Sequence, residues 1–171
     1  MLTRRQLIKT GLLGGVLIAG AGWWARPDGD LVAALPWPMA FLTAHDAMLL
    51  SVVAPVMLAV EGLDAPLVVR GVDQAIAALP LALQRELRQL FDLLANRWGR
   101  RYVAGVVEPW HRADPADIAH FLQAWQLSRW QLLRTGYQAL HALINAAWYG
   151  DPISWPGMGY QRPARIVGLL R

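Results

Sequence analysis

The stretch that decides the fold class runs from Asp114 to Gly150, DPADIAHFLQAWQLSRWQLLRTGYQALHALINAAWYG. Asp114 and Pro115 are typical of a helix start, because Asp caps the free N–H groups of the first turn and Pro fits the first helical position. Apolar side chains then recur every three or four residues, at Ile118, Phe121, Leu122 and Trp125. This spacing indicates one face of a helix and not the alternation of a strand.

A second helix is predicted to begin at Ser128, which forms a capping pattern with Gln131, and to end at Gly150. It carries two neighbouring apolar stripes: Trp130, Leu133, Tyr137, Leu140, Ile144 and Ala147 in one, and Leu132, Gly136, Ala139, Leu143 and Ala146 in the other. A helix that is apolar on two sides lies at the centre of a bundle or packs against a partner. The central position is favoured, and the partner contact remains an alternative.

Three helices are predicted upstream. Thr43 and Asp46 have the spacing of a capping box and begin the first, in which Pro55 should cause a kink or a division. The second follows Pro66, with an apolar face formed by Val68, Val69, Val72, Ile76 and Leu79. The third follows Pro80; its apolar face is Leu83, Leu87, Leu90, Phe91 and Leu94, and its polar face is Arg85, Arg88, Gln89, Asp92 and Asn96.

The connection from Gly99 to Ala113 has no clear periodicity. Gly99 is expected to stop the third helix, and residues 100–113 are expected to form a turn or a short helix. The sequence therefore predicts an all-α protein, a small irregular bundle of about five helices. An extended N-terminal linker should precede the bundle, and an irregular aromatic tail, rich in Pro and Gly, should follow it.

Composition restricts the function. The chain has 171 residues, 56% of them apolar and 16% charged, which excludes a disordered protein. The absence of Cys excludes disulfides, thiolate metal sites and a Cys nucleophile. The net charge is +4, and Arg4, Arg5 and Lys9 account for three of these charges, so the body of the chain is nearly neutral. We therefore expect no nucleic-acid partner.

The first 25 residues are typical of an export signal. Arg4 and Arg5 begin a positive segment, and an apolar run of 14 residues follows from Gly11 to Trp24. A membrane span needs about 20 residues, so this length suits a signal core better. The paired arginines predict the twin-arginine route, which carries folded proteins, with Ala19-Gly20-Ala21 as a cleavage site. The expected organisation is a signal at 1–25, a linker at 26–42 and a helical domain at 43–171.

No constellation in the sequence indicates catalysis. The four His residues lack the spacing of a helical metal site, and no nucleophile elbow or phosphate loop is present. Asp114 and Asp117 are explained by the helix start. Most of the Trp residues of the body are expected in the core, although Trp is also common at protein interfaces. We expect no catalytic, cofactor or metal residues in this chain.

The tail carries a resemblance to a known family. Residues 148–160, WYGDPISWPGMGY, resemble the closing signature of the gluconate 2-dehydrogenase subunit 3 family. The order of the preceding motifs also resembles that family: paired arginines, then Phe41-Leu42-Thr43 with Asp46, then Phe121-Leu122 with Trp125. Family members usually continue with Pro-Gly-Pro, where this chain has Gln161-Arg162-Pro163.

The resemblance implies a non-catalytic small subunit of an exported dehydrogenase. Its partner would be a large flavoprotein of the glucose–methanol–choline type that holds FAD, with a cytochrome c subunit as a further partner in some complexes. The small subunit would bind the flavoprotein, help it mature and take it through the twin-arginine translocase to the periplasm, with the leader either cleaved or retained as an inner-membrane anchor. The expected export residues are Arg4 and Arg5, and the expected partner interface is Trp148, Tyr149, Asp151, Pro152, Trp155, Gly159 and Tyr160.

The exported cargo could also be this chain alone. In that alternative, the protein is an independent periplasmic helical binding protein or chaperone. A partner flavoprotein that copurifies from the periplasm would distinguish the two interpretations.

Overall fold

The computed structural model describes residues 38–60, 62–155 and 159. Their main elements are α1 (Ala44–Leu58), α2 (Ala65–Ala77), α3 (Leu81–Ala95), α4 (Pro115–Gln126) and α5 (Gln131–Tyr149). A π-helical segment, Gly99–Ala104, and two 3₁₀ turns, Trp110–Arg112 and Pro152–Ser154, complete them. No strand occurs in these ranges, which confirms the predicted all-α fold. The predicted signal and most of the predicted linker lie outside the described residues.

Helix α1 is the centre of the bundle. None of its residues is exposed, and Leu49, Leu50 and Val53 are fully buried. It packs against each of the other four helices. A helix that is apolar around its whole circumference is covered on all sides. Pro55 does not divide it, because the helix continues to Leu58 and ends at Ala59 in a left-handed conformation.

The sequence favoured a central position for helix α5. The structure places α1 there instead, and α5 lies at the side of the bundle. It packs mainly across α2 and α4, and only Gly136, Leu140 and Ile144 are buried. Its two apolar stripes are half covered, and Leu132 is 54% exposed. The partner of α5 on its closest side is α2: a Cβ added to Gly71 would lie 2.8 Å from the Ala147 Cβ. Two small residues thus let the helices approach closely.

Most of the predicted apolar faces are confirmed. All four predicted residues of α4 are buried, as are Val68, Val69, Val72 and Ile76 of α2. In α3, Leu87, Phe91 and Leu94 are buried, but Leu83, in the first turn, is 45% exposed. The caps at Thr43 and Asp114 also form as predicted.

The predicted start of α5 is wrong. The helix begins at Gln131, three residues after Ser128, and its N-terminal residue has no side-chain cap. The Ser128 hydroxyl oxygen instead accepts a hydrogen bond from the Trp130 N–H, at 3.1 Å. The Ser128 carbonyl accepts a second from the Arg134 guanidinium, at 2.6 Å. The local turn competes successfully with the helix for these groups.

The segment after α3 is helical but irregular, within the expectation of a turn or short helix. Helix α3 ends at Ala95, and Gly99 begins the π-helical segment instead of stopping α3. A Cβ at Gly99 would overlap the Leu93 carbonyl oxygen, so only Gly fits there. Trp110 and Trp125 then fix the segment to the bundle: their ring N–H groups donate to the carbonyls of Leu94 and Val103, at 2.8 and 2.9 Å.

Candidate functional site

The predicted partner-interface residues lie at the C-terminal end of α5 as far as they are described. Here the C-terminal surface means Trp148, Tyr149, Asp151, Pro152, Ile153 and Trp155. Trp148 is half-buried against the core, whereas Tyr149 and Ile153 are 42% and 62% exposed. Gly159 is exposed with φ of +68°, a left-handed conformation that favours Gly. Tyr160 lies outside the described residues.

A short 3₁₀ turn shapes the C-terminal surface. The Asp151 carboxylate accepts a hydrogen bond from the Ile153 N–H at 2.9 Å, and Pro152 occupies the first position of the turn. The Ser154 hydroxyl donates to the Asp151 carbonyl at 2.8 Å. The half-buried Trp155 then turns back, and its ring N–H donates to the Tyr149 carbonyl at 3.2 Å. The turn leaves Ile153 pointing outward and folds Trp155 onto the end of α5.

A second group of exposed aromatic side chains was not predicted from the sequence. It consists of three dipeptides, Arg97-Trp98, Arg101-Tyr102 and Arg129-Trp130, together called the Arg–aromatic face. The Trp98 and Tyr102 rings stack, with centroids 5.2 Å apart and an interplanar angle of 17°. The Arg97 guanidinium lies 5.8 Å from the Trp98 ring, and that of Arg129 lies 5.2 Å from the Trp130 ring. Both distances allow a cation–π interaction.

The side chains of this face are strongly exposed. Tyr102 is 68% exposed, Trp130 62% and Trp98 54%, and the neighbouring Leu127 is 74% exposed. The Trp125 ring N–H donates to the Val103 carbonyl at 2.9 Å, so the residue after Tyr102 is bonded to the helix that ends one residue before Leu127. The expectation that most Trp residues lie in the core is therefore wrong: Trp110 and Trp125 are buried, and the other described Trp residues of the body are half-buried or exposed.

A buried ion pair connects α1 to α3. The Asp46 side chain is fully buried, and its carboxylate accepts hydrogen bonds from Arg88 Nη1 and Nη2 at 2.7 and 2.8 Å. The Thr43 N–H and hydroxyl donate to the same carboxylate at 2.7 and 2.8 Å. Arg88 was predicted on a polar outer face of α3, but its guanidinium lies over Phe41 and Phe91. The sequence showed only the cap at Asp46, because the pair joins residues 42 positions apart.

The pKa of Arg88 is raised above its usual value. Burial alone lowers this pKa, but the hydrogen bonds and the attraction of Asp46, with a contribution from Asp92, outweigh burial. Arg88 also donates from Nε to the Asp92 carboxylate at 2.8 Å. The guanidinium therefore stays charged at neutral and mildly alkaline pH.

A second buried carboxylate holds the segment before α1. Asp73 of α2 is 4% exposed and accepts hydrogen bonds from the N–H groups of Ala40, Phe41 and Leu42, at 2.8, 2.9 and 2.8 Å. These donors have no helix or sheet partner, so the carboxylate satisfies them. Asp73 thus fixes residues 40–42 onto α2, and Asp46 links Thr43 to Arg88 of α3. Nothing in the sequence pattern around Asp73 indicated this role.

The described residues lack two further features. They contain no group of three or more His, Asp or Glu side chains arranged to hold a metal ion. None of their helices combines the length and the apolar character needed to cross a bilayer.

Comparisons with known proteins give no relative. No protein-family model matches the chain, and neither the curated proteins nor the solved structures contain a match. The resemblance to the gluconate 2-dehydrogenase subunit 3 family therefore stays a prediction from the motifs of the sequence.

Proposed function

We propose that this chain is the non-catalytic small subunit of an exported flavin-dependent dehydrogenase of the glucose–methanol–choline type. It binds the large flavoprotein, helps it mature and takes it through the twin-arginine translocase to the periplasm. The FAD belongs to the large subunit, and a cytochrome c subunit accepts the electrons in complexes that contain one. Arg4 and Arg5 form the export signal.

The observation that carries this proposal is the exposed C-terminal surface. Tyr149 and Ile153 are large apolar side chains that the described part of the chain leaves exposed, at the place where the motif resemblance is strongest. Exposed aromatic and aliphatic side chains around a half-buried Trp are typical of protein interfaces. Asp151 and Ser154 hold the turn in place, so the surface is formed before a partner binds.

Copurification tests the partner. The full chain, tagged and expressed in its own organism, is purified from the periplasmic fraction, and the eluate is examined for flavin absorbance and for a large second chain. We expect a flavoprotein in a fixed ratio to this chain. Tyr149→Ala with Ile153→Ala should weaken the complex by about 10- to 100-fold, the usual effect of one or two interface hot spots.

A matched control is Leu81→Ala on α3, since Leu81 is 69% exposed and belongs to no proposed interface. This variant should keep the partner. A flavoprotein retained equally by both variants would show that the C-terminal surface is not its binding site. Periplasmic protein without any flavoprotein would favour the alternative, an independent helical binding protein or chaperone.

Export is tested separately. Arg4→Lys with Arg5→Lys keeps the positive charge but removes the paired arginines, so both this chain and the flavoprotein should stay in the cytoplasm. Normal export of the double variant would contradict the twin-arginine route. Retention of this chain together with normal export of the flavoprotein would contradict the carrier role.

A further inference from the structure

The Arg–aromatic face is not explained by the proposed partner site. Trp130 lies at the N-terminal end of α5 and the C-terminal surface lies at the other end. The helix has 19 residues, so about 28 Å separates its two ends. A binding site for a flavoprotein at one end therefore leaves the Arg–aromatic face without an assigned function.

The charge of this face has one sign. Residues 93–107 and 118–150 contain five Arg, of which three are exposed, and no Asp or Glu; the acidic residues next to these ranges in the sequence are Asp92, Glu108, Asp117 and Asp151. Arg97, Arg101 and Arg129 are exposed, and none of the three forms an ion pair with a described residue. The guanidinium groups of Arg97 and Arg129 lie over the rings of the neighbouring Trp residues. The face therefore complements a negatively charged surface.

The side chains also have the composition of a membrane interface. Trp and Tyr are enriched at the headgroup level of bilayers, because their rings are amphipathic, and Arg extends along apolar surface with its charged end in water. Leu127 and Trp130 protrude from the connection between α4 and α5, where an apolar side chain can enter the boundary between headgroups and acyl chains. An anionic bilayer supplies both the negative charge and an apolar layer, and it needs no pocket of matching shape.

We infer that the Arg–aromatic face docks on an anionic phospholipid bilayer through its three Arg–aromatic dipeptides and Leu127. The guanidinium groups contact lipid phosphates, and the rings lie at the headgroup level. Docking at this end of α5 leaves the C-terminal surface accessible to a protein partner. The inference does not depend on the identity of that partner.

The chain has no Cys, so one introduced Cys can carry an environment-sensitive fluorophore. Gln126→Cys places the label beside Leu127, and Ala116→Cys places it at the other end of α4. Both positions are exposed, and ten residues of helix separate them by about 15 Å. The labelled full chains are mixed with vesicles of phosphatidylethanolamine and phosphatidylglycerol, or with vesicles of phosphatidylcholine alone. The leader contributes equally to every variant.

We expect a blue shift of the label at 126 with the anionic vesicles and none at 116 or with phosphatidylcholine. Arg97→Gln, Arg101→Gln and Arg129→Gln together should abolish the shift, because each Arg near an anionic surface contributes about fivefold to binding and three contribute about 100-fold. The control variant replaces three other exposed arginines, Arg70, Arg85 and Arg112, by Gln. It should show the same blue shift of the label at 126 as the parent protein.

Four results would overturn the inference. The first is that the label at 126 does not shift although the protein floats with the vesicles, because the leader alone would then bind. The second is that the labels at 126 and 116 shift alike. The third is that replacing the control arginines reduces the shift as much as replacing those of the face. The fourth is that polyglutamate shifts the label at 126 while vesicles do not, because the face would then bind an acidic polypeptide.

Discussion

Replacement of Arg88 by Met tests the buried ion pair between α1 and α3. The Asp46 carboxylate accepts four hydrogen bonds, two from Arg88 and two from Thr43. Met has a similar apolar length but no charge, so the variant leaves a fully buried carboxylate with only the Thr43 donors. Removal of one partner from a buried pair costs about 3–5 kcal/mol. The Arg88 side chain is 27% exposed, so entry of water reduces the expected cost to about 2–3 kcal/mol.

Urea unfolding followed by circular dichroism measures this cost. The midpoint should fall with an unchanged slope, and the melting temperature should fall by about 4–12 °C for a chain of this size. The raised pKa of Arg88 means that its contribution is fully present below the pKa of the unfolded chain and is lost only as the pH rises through the higher folded value. The deficit of the variant should therefore be the same at neutral and at mildly alkaline pH.

A double variant separates the lost attraction from the isolated charge. Asp46→Leu with Arg88→Met removes the unpaired carboxylate, and its remaining cost is mainly the acceptor that the Thr43 N–H and hydroxyl lose, about 1 kcal/mol. The double variant should therefore be more stable than Arg88→Met alone. If Arg88→Met costs less than about 0.5 kcal/mol, or if the double variant is the less stable of the two, the ion pair does not hold α1 to α3 as described.

The remaining predictions concern other close contacts. Asp73→Ala should cost about 2–4 kcal/mol in urea unfolding, because three N–H groups lose a charged acceptor, and faster amide exchange confined to residues 40–42 should accompany it; slow exchange there would contradict the contact. Gly99→Ala should cost about 3 kcal/mol or more, since its Cβ would overlap the Leu93 carbonyl, and an unchanged melting temperature would contradict the π-helical geometry. Gly71→Ala should cost about 1–2 kcal/mol, because the added Cβ would meet the Ala147 Cβ. Ala147→Gly in the same chain should recover part of this cost by removing the opposing Cβ. A double variant that is less stable than Gly71→Ala by more than the usual cost of Gly within a helix would contradict the close crossing.

The sequence predicted best what is decided within one or two helical turns. The cap at Asp114, the Pro that follows it and the buried face from Ile118 to Trp125 are all local, and all three form as predicted. The same holds for Thr43 and Asp46, whose capping box needs only three residues. These features depend on periodicity and on the hydrogen bonds of a first turn, which the order of residues determines directly.

The sequence failed where a position depends on a distant element. Arg88 has the spacing of a solvated face, and only the assembled bundle brings it to Asp46. Trp98 and Trp130 are large apolar residues of the kind expected in a core, yet the connections that carry them leave them exposed. Helix α5 has more apolar residues than its position in the bundle covers, so its two stripes indicated a contact without showing which helix or partner supplies it.

The two buried carboxylates make the segment before α1 dependent on the assembled bundle. Asp73 belongs to α2 and Arg88 to α3, and both act on residues more than 30 positions earlier in the chain. The hydrogen bonds of residues 40–42 therefore need α2 in place, and the contact from Thr43 through Asp46 to Arg88 needs α3. This segment connects the bundle to the predicted signal. Under the proposed function, its attachment gives a physical reason why the signal is presented on a folded bundle, which is the form that the twin-arginine route carries.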